Sequence, residues 1–297
     1  MIKKPLLVVL LCCIPFPAIA QLTDLARVEY TYFPQSDSDN SFRRFRALAN
    51  IPLVMGWEGH YLVPGIEYRN VNLQYEDMAP FLRQGLDRFQ SIDVSLGYTF
   101  PLKNNWRFGA RAGVIIASNF VRDRAISDDL LFDGGLYFVK DKTEEGLEKP
   151  WRLVLGVTYN TDAGRPFPLP YVNFNKTLNE HWSYTLGAPK TNVKYYFTQK
   201  HIVQAFVTLD GFYANIQEGR EIPQPDDSSL FADNISMTVV LSGVGYEHYF
   251  TKNLLAYVYA GWTLANEIRL RNNEREDVFI INETNTFYTR GGLKFKI

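Results

Sequence analysis

From residue 26 onward the chain alternates apolar and polar residues in about fourteen aromatic-rich stretches, and this period of two decides its fold class. In residues 89–100, Val94, Leu96, Tyr98 and Phe100 share one face, and Asp93, Ser95, Gly97 and Thr99 share the other. The next stretch sets Trp106, Phe108, Ala110, Ala112, Val114 and Ile116 against Arg107, Gly109, Arg111 and Gly113. Residues 151–160 and 287–297 repeat the pattern. A soluble sandwich also alternates, so the polar face must separate the two folds. Arg107, Arg111, Arg152, Arg290 and Lys294 would sit unpaired in a dry sandwich core, where charge is expensive. In a barrel they face a wet lumen and the apolar set faces lipid. The expectation is an all-β chain forming a single antiparallel transmembrane β-barrel.

The rest of the sequence agrees. Lys3 and Lys4, the apolar run from Pro5 to Ile14 and the small residues of Ala18-Ile19-Ala20 read as a secretory signal over residues 1–20, leaving 21–297 as the barrel. No later segment reaches the ~18 consecutive apolar residues of a membrane helix. A membrane-spanning chain without such helices has to close its sheet, because hydrocarbon offers an open strand edge no hydrogen-bond partner. The two cysteines, Cys12 and Cys13, both lie in the signal, so neither disulfides nor a thiolate metal site are expected afterwards. Aromatic residues make up 15% of the chain, which suits membrane interfaces. Formal net charge is -1 with no basic tract, which argues against a nucleic-acid partner. The expected location is a bacterial outer membrane.

Strands are predicted over 26–33, 43–53, 60–73, 89–100, 106–117, 130–140, 151–161, 169–177, 182–187, 191–197, 202–214, 236–250, 254–266 and 284–297. The links between them run short and long in turn, with long charged ones at 74–88, 118–129, 216–235 and 269–283. That rhythm implies short periplasmic turns, long extracellular loops and both termini in the periplasm. Residues 182–197 are the ambiguous segment. A hairpin turning at Ala188-Pro189-Lys190 preserves the rhythm and gives fourteen strands, while a segment folded off the wall leaves about twelve. Trp106, Trp151 and Trp182 open strands, and Phe100, Phe197, Phe250 and Phe295 close them, all at one expected height. They form a candidate interfacial girdle.

Several short segments carry a family resemblance: Asn50-Ile51-Pro52-Leu53, Pro168-Leu169-Pro170, His181-Trp182-Ser183, Leu186-Gly187-Ala188-Pro189-Lys190 and Leu209-Asp210-Gly211-Phe212-Tyr213. Through them the chain resembles an uncharacterised family of bacterial outer-membrane β-barrel proteins, a domain of unknown function. The resemblance implies the barrel and no particular activity. A similar strand repertoire occurs in channels of the long-chain fatty-acid transporter type, a likeness of fold alone. Those carry an N-terminal plug, whereas only Gln21 to Leu25 precede the first strand here, so no plug is expected.

Candidate functional residues come from the polar faces. Arg46, Glu67, Arg69, Asp93, Arg107, Arg111, Arg152, Lys194, Asp210, Arg290 and Lys294 are the expected lumen-lining set, with Arg44 and Glu247 on the same faces. Such charges either select solutes in an open pore or brace the wall as ion pairs. The set holds more Arg than acid, so an open pore would favour anions. The four histidines, His60, His181, His201 and His248, fall in or beside short turns or near inner strand ends, away from the external leaflet. No catalytic residue, cofactor or metal site is expected. Asp128-Asp129, Asp226-Asp227 and 274–277 read mainly as solvated loop charge, with divalent-cation bridging to lipopolysaccharide as the minor alternative. The leading function is a passive channel or small-solute transporter. A filled, structural barrel binding a partner or lipopolysaccharide comes second, and an outer-membrane enzyme last. The apolar alternation of Leu293, Phe295 and Ile297 matches what barrel-assembly machinery recognises, so that machinery, membrane lipid and lipopolysaccharide are the expected partners, with a small solute as a further possibility.

Overall fold

Strands account for nearly all of the regular secondary structure among the described residues. The computed structural model describes residues 24–78, 81–143, 146–224 and 228–296, so the expected signal peptide, Asp226-Asp227 and Ile297 lie outside the described residues. The strands are β1 (Ala26–Pro34), β2 (Ser41–Asn50), β3 (Leu53–Val54), β4 (Tyr61–Gln74), β5 (Arg88–Pro101), β6 (Trp106–Ser118), β7 (Leu130–Asp141) and β8 (Trp151–Asn160). They continue as β9 (Phe167–Thr177), β10 (Trp182–Ala188), β11 (Lys190–Tyr196), β12 (His201–Pro223), β13 (Ser229–Tyr249), β14 (Leu254–Arg271), β15 (Asp277–Asn282) and β16 (Phe287–Phe295). Each wall strand pairs antiparallel with its neighbours in the chain. The β1–β16, β14–β16 and β13–β14 ladders close the circle. The short β3 and β15 are appended to β4 and β14, so fourteen strands form the barrel. The ambiguous segment is the β10–β11 hairpin, within the wall, turning at Pro189.

Alternation sets the two faces. Val94, Leu96, Leu136, Leu155, Val157, Val193, Val244 and Val258 are exposed on the outer surface. Their neighbours Ser95, Val154, Thr158 and Asn192 point inward and are buried. A closed sheet with an apolar exterior pairs its strand edges with one another while presenting hydrocarbon to lipid. Leu155→Arg would place a charge on that lipid face near mid-strand. It should cost about 2–4 kcal/mol, read as a lowered unfolding midpoint and poorer membrane yield. Unchanged yield and heat stability would mean that Leu155 does not face lipid.

Both ends of the described chain lie at one end of the barrel, the near end. The aromatic girdle sits there: Trp182 packs on Tyr195 at 4.9 Å between centroids, Tyr195 on Phe197 at 4.8 Å, and Trp151 on Phe174 at 6.0 Å. Links at the near end include 102–105, 178–181, 197–200 and 250–253, but also the longer 51–60 and 142–150. At the far end the links differ from the expected loops. Residues 216–235 are mostly strand, since β12 and β13 pair out to Pro223 and Ser229. Part of 269–283 is β15.

The upper part of β12 does not stand upright in the wall. It leans across the lumen. Phe212 lies 6.1 Å from Phe42 on β2 and 6.2 Å from Phe89 on β5, ring centre to ring centre, although neither strand is its neighbour in the sheet. Asn215 bridges Ser118 of β6 in parallel. Phe33, Val71, Leu73, Ile216, Ile222 and Ile235 join the same buried core. Phe81 and Leu86, from the link between β4 and β5, fold down into it, with Phe81 5.1 Å from Phe279 of β15. The far end is therefore packed shut by apolar side chains, whose burial also stabilises the leaning strands.

Asp129 belongs to this region. It was expected as solvated loop charge and is instead fully buried. It accepts hydrogen bonds from Asn215 at 2.8 Å, Gln217 at 2.7 Å and the Ile126 N–H at 2.8 Å, tying the 119–129 link to β12. Asp277 likewise is paired, with Arg271 at 2.6 Å and with Arg269.

Candidate functional site

Below the apolar core the lumen opens into a cavity of about 730 Å³. Leu25, Tyr61 and Arg107 line it toward the near end, and Ile115, Arg69 and Asp210 toward the core. Its apolar wall includes Val63, Val139, Val154, Leu169 and Phe206. Its polar wall consists of ion pairs, because an inward-facing charge in a narrow lumen loses water and must recover the loss from a partner.

Three clusters make up much of that wall, and Asp24, between Arg27 and Lys294, adds a fourth nearer the chain ends. Arg44 donates to Asp210 at 2.9 and 2.6 Å, and Arg290 donates to the same carboxylate. Glu29 lies beneath, 3.7 Å from Arg44 and 3.6 Å from Arg290, and accepts from the Tyr257 hydroxyl at 2.5 Å. Glu67 joins Arg46, at 2.8 Å, to Arg69, which reaches Asp162 at 3.5 Å. Arg111 bridges Asp93, at 2.7 Å, and Asp133. Arg107 pairs with no carboxylate among the described residues. It donates to the Gly59 carbonyl at 2.8 Å and lies 5.7 Å over the Tyr61 ring.

Of the expected lining set, Arg46, Glu67, Arg69, Asp93, Arg107, Arg111, Asp210, Arg290 and Lys294 border the cavity. Arg152 and Lys194 do not. Arg152 is tied to Asp141 at 2.7 Å near the near end. Lys194 is locked into a packed network in which Glu247 accepts from Lys194 at 2.7 Å, Gln204 at 2.7 Å and Tyr259 at 2.8 Å. Parity gave their face correctly but carries no information on what fills the space in front of them. The expected set also left acids out. Asp24, Glu29, Asp133 and Asp162 line the cavity too, so the expected surplus of Arg over acid disappears and with it the reason to expect anion preference from the wall as a whole. Lys190, at the tip of the β10–β11 hairpin, is a further lining residue outside the expected set.

The histidines sit at the near end. His60 meets the Tyr98 hydroxyl at 2.7 Å, His201 meets that of Tyr246 at 2.6 Å, and His181 meets the Tyr196 carbonyl at 3.0 Å. His248 packs on His201 at 4.8 Å and on Phe250 at 5.0 Å between ring centres.

Among solved structures, the chain has loose likenesses to several barrels. The KdgM porin shares 9% identity, with 91% of this chain and 99% of that chain covered and a TM-score of 0.37. A TodX monoaromatic hydrocarbon channel (the deltaS2 mutant) shares 8%, covering 92% and 90%, with a TM-score of 0.38. LpxR from Salmonella typhimurium shares 9%, covering 92% and 100%, with a TM-score of 0.37. No curated protein matches the sequence. A closed antiparallel barrel with an apolar outer face and an aromatic girdle is an outer-membrane protein by construction. A family model matches residues 18–296, and the chain belongs to that family, the domain of unknown function DUF6268.

Proposed function

We propose that this barrel is an outer-membrane channel-type transporter that holds a small solute in its half-lumen cavity, with the near end in the periplasm and the packed end outside. The supporting observation is a ligand-sized space beneath a sealed mouth. Its 730 Å³ falls within the range of about 300–1,000 Å³ typical of small-molecule sites. Its wall mixes apolar side chains with fixed ion pairs, which suits a solute that is partly apolar. A water-filled pore running from end to end, as in a general porin, does not fit a far end filled by Phe33, Phe42, Phe89 and Phe212. Membrane lipid and lipopolysaccharide are the partners of the outer wall, and the terminal strand β16 is the element for barrel-assembly machinery.

A purely structural barrel is the second reading, favoured by the dense bracing around Asp210 and Glu247. The positions of the histidines, against tyrosines and turns at the near end, support a role without acid-base chemistry. Planar-bilayer recording tests the proposal. The expected result is no steady open state, with brief openings that a permeant solute modulates. A large, steady, ohmic conductance would overturn the sealed-mouth reading, and complete electrical silence in every solute tried would favour the structural barrel.

A further inference from the structure

The wall has one place where its strands stop short. β10 and β11 have 7 residues each, whereas a strand needs about 9–11 to cross the apolar layer. Above their tip, β9 and β12 face each other with no strand between them. The last ladder pairs are Ala188 with Val172 and Lys190 with Thr208. One more bond follows, from the Leu209 N–H to the Pro189 carbonyl at 2.9 Å.

Both bare edges are finished chemically. In β9 the Thr177 N–H donates to Pro150 on the β8 side and the Leu178 N–H donates to Trp182 on the β10 side. Odd positions of β9 therefore turn their N–H toward β8, and even positions turn toward the gap. Pro168 and Pro170 are even. They remove the donors that would otherwise point into the gap without a partner. On the opposite edge, the Gly211 N–H donates to the Asp210 carboxylate at 2.8 Å. The link 161–166 forms the upper border. The Thr238 hydroxyl donates to the Ala163 carbonyl at 2.9 Å. A Cβ on Gly211 would come within 2.8 Å of the Asp162 carbonyl, so only glycine allows this close approach.

The gap lies between two known environments. Inside, the cavity is lined from every side of the frame, by Asp162 above, Pro170 on β9, Pro189 below and Leu209 on β12. Outside, Val172, Leu186 and Val207 are exposed in the apolar belt around it. On the lower border stands Lys190, whose ammonium lies 4.9 Å from the Phe206 ring and 5.3 Å from that of Tyr259. Among the described residues it has no ion-pair partner. Lys294 approaches the same Tyr259 ring at 6.0 Å, and its nearest carboxylate, Asp24, is 3.9 Å away. Two ammonium groups thus converge on one ring behind an apolar frame.

We propose that the gap is a lateral portal through which an amphipathic anion, with one charged head and an apolar tail, passes between the cavity and the lipid. The head rests against Lys190, and the tail lies among Leu169, Pro170, Pro189 and Leu209. This rests on the reading that the cavity holds a solute, and names its class and its route. The test uses the full barrel in lipid nanodiscs with dansyl-aminoundecanoic acid as probe and its methyl ester as the uncharged comparison. The acid binds saturably, and Lys190→Gln weakens it by about tenfold, the worth of one charge-assisted contact, while ester binding is unchanged. Leu209→Phe and the double change Leu169→Trp, Leu209→Trp slow transfer of the acid from labelled vesicles into the protein. Val258→Trp, on the remote lipid face, does not. Heat-modifiable gel mobility confirms that each variant is assembled. Saturable binding of the acid that neither Lys190→Gln nor the portal variants alter overturns the portal and leaves the cavity reading standing. Absence of saturable binding by acid and ester alike overturns the proposed solute class.

Discussion

Asp210→Ala should be among the most destabilising single changes in this barrel, lowering unfolding stability by about 3–5 kcal/mol, the usual cost of stranding buried charge. The carboxylate receives Arg44 from β2 and Arg290 from β16, and it also accepts the Gly211 N–H. Side-chain exposure is 2% for Arg44 and 10% for Arg290, so neither guanidinium can turn to bulk water. Glu29 remains 3.6–3.7 Å from both, but one carboxylate then faces two cations. Urea titration in detergent micelles, followed by heat-modifiable mobility, measures the loss. Asp210→Asn keeps an acceptor for Gly211 and should separate the backbone part from the charge part. Arg43→Ala, an exposed partner of Gln74 at 3.1 Å, is the control and should stay within about 0.5 kcal/mol. If Asp210→Ala matches that control, the lumen pairs are hydrated and do not brace the wall.

Most of the barrel could be read from the chain because one physical condition holds along β5, β6 and β8: one face meets lipid and the other meets the lumen. The same condition explains where the reading failed. From Gly211 to Gln217 every residue of β12 is buried, since one face packs on the core and the other on the 119–129 and 161–166 links. Alternation vanishes there, although the ladder to β13 continues, so a strand end was expected near 214 and a loop beyond it. The β10–β11 hairpin was legible because Ala188-Pro189-Lys190 interrupts an otherwise strand-like run. That it stops short of the apolar layer follows from the 7-residue length of each strand.

The site was legible in part for similar reasons. Asp133 shares an inward face with Tyr137 and Val139 on β7, so the same alternation marks it, although the expected lining set omitted it. Asp162 lies in a link, where parity says nothing, and its approach to Arg69 depends on how that link folds over β12. Asp129 is a polar residue in a polar link. Its burial is decided by Asn215 and Gln217, far away in sequence. Arg152 and Lys194 show the opposite limit, since facing inward does not guarantee open space in front.

Trimming the leaning strands should have the largest functional effect. Gly211 and Thr238 are direct partners across the β12–β13 ladder, so a tight turn between them can replace residues 212–237. The change removes Phe212, Ile216, Ile222 and Ile235 from the seal while leaving the lower wall paired. Since Cys12 and Cys13 are the only cysteines and both precede the barrel, the barrel itself adds no background to single-cysteine labelling. Val63 lines the cavity on β4, and Val63→Cys is a small change. Glu274→Cys at the far end and Lys103→Cys at the near end, both at exposed positions, report which end faces outward. The reagent is a maleimide on a slender polyethylene-glycol chain too large for general porins, applied first to intact and then to permeabilised cells. In the full-length barrel, Glu274→Cys should label in intact cells, while Val63→Cys and Lys103→Cys should label only after permeabilisation. In the trimmed barrel, Val63→Cys should label in intact cells as well. Rapid labelling of Val63→Cys in intact cells carrying the untrimmed barrel would contradict the sealed far end directly.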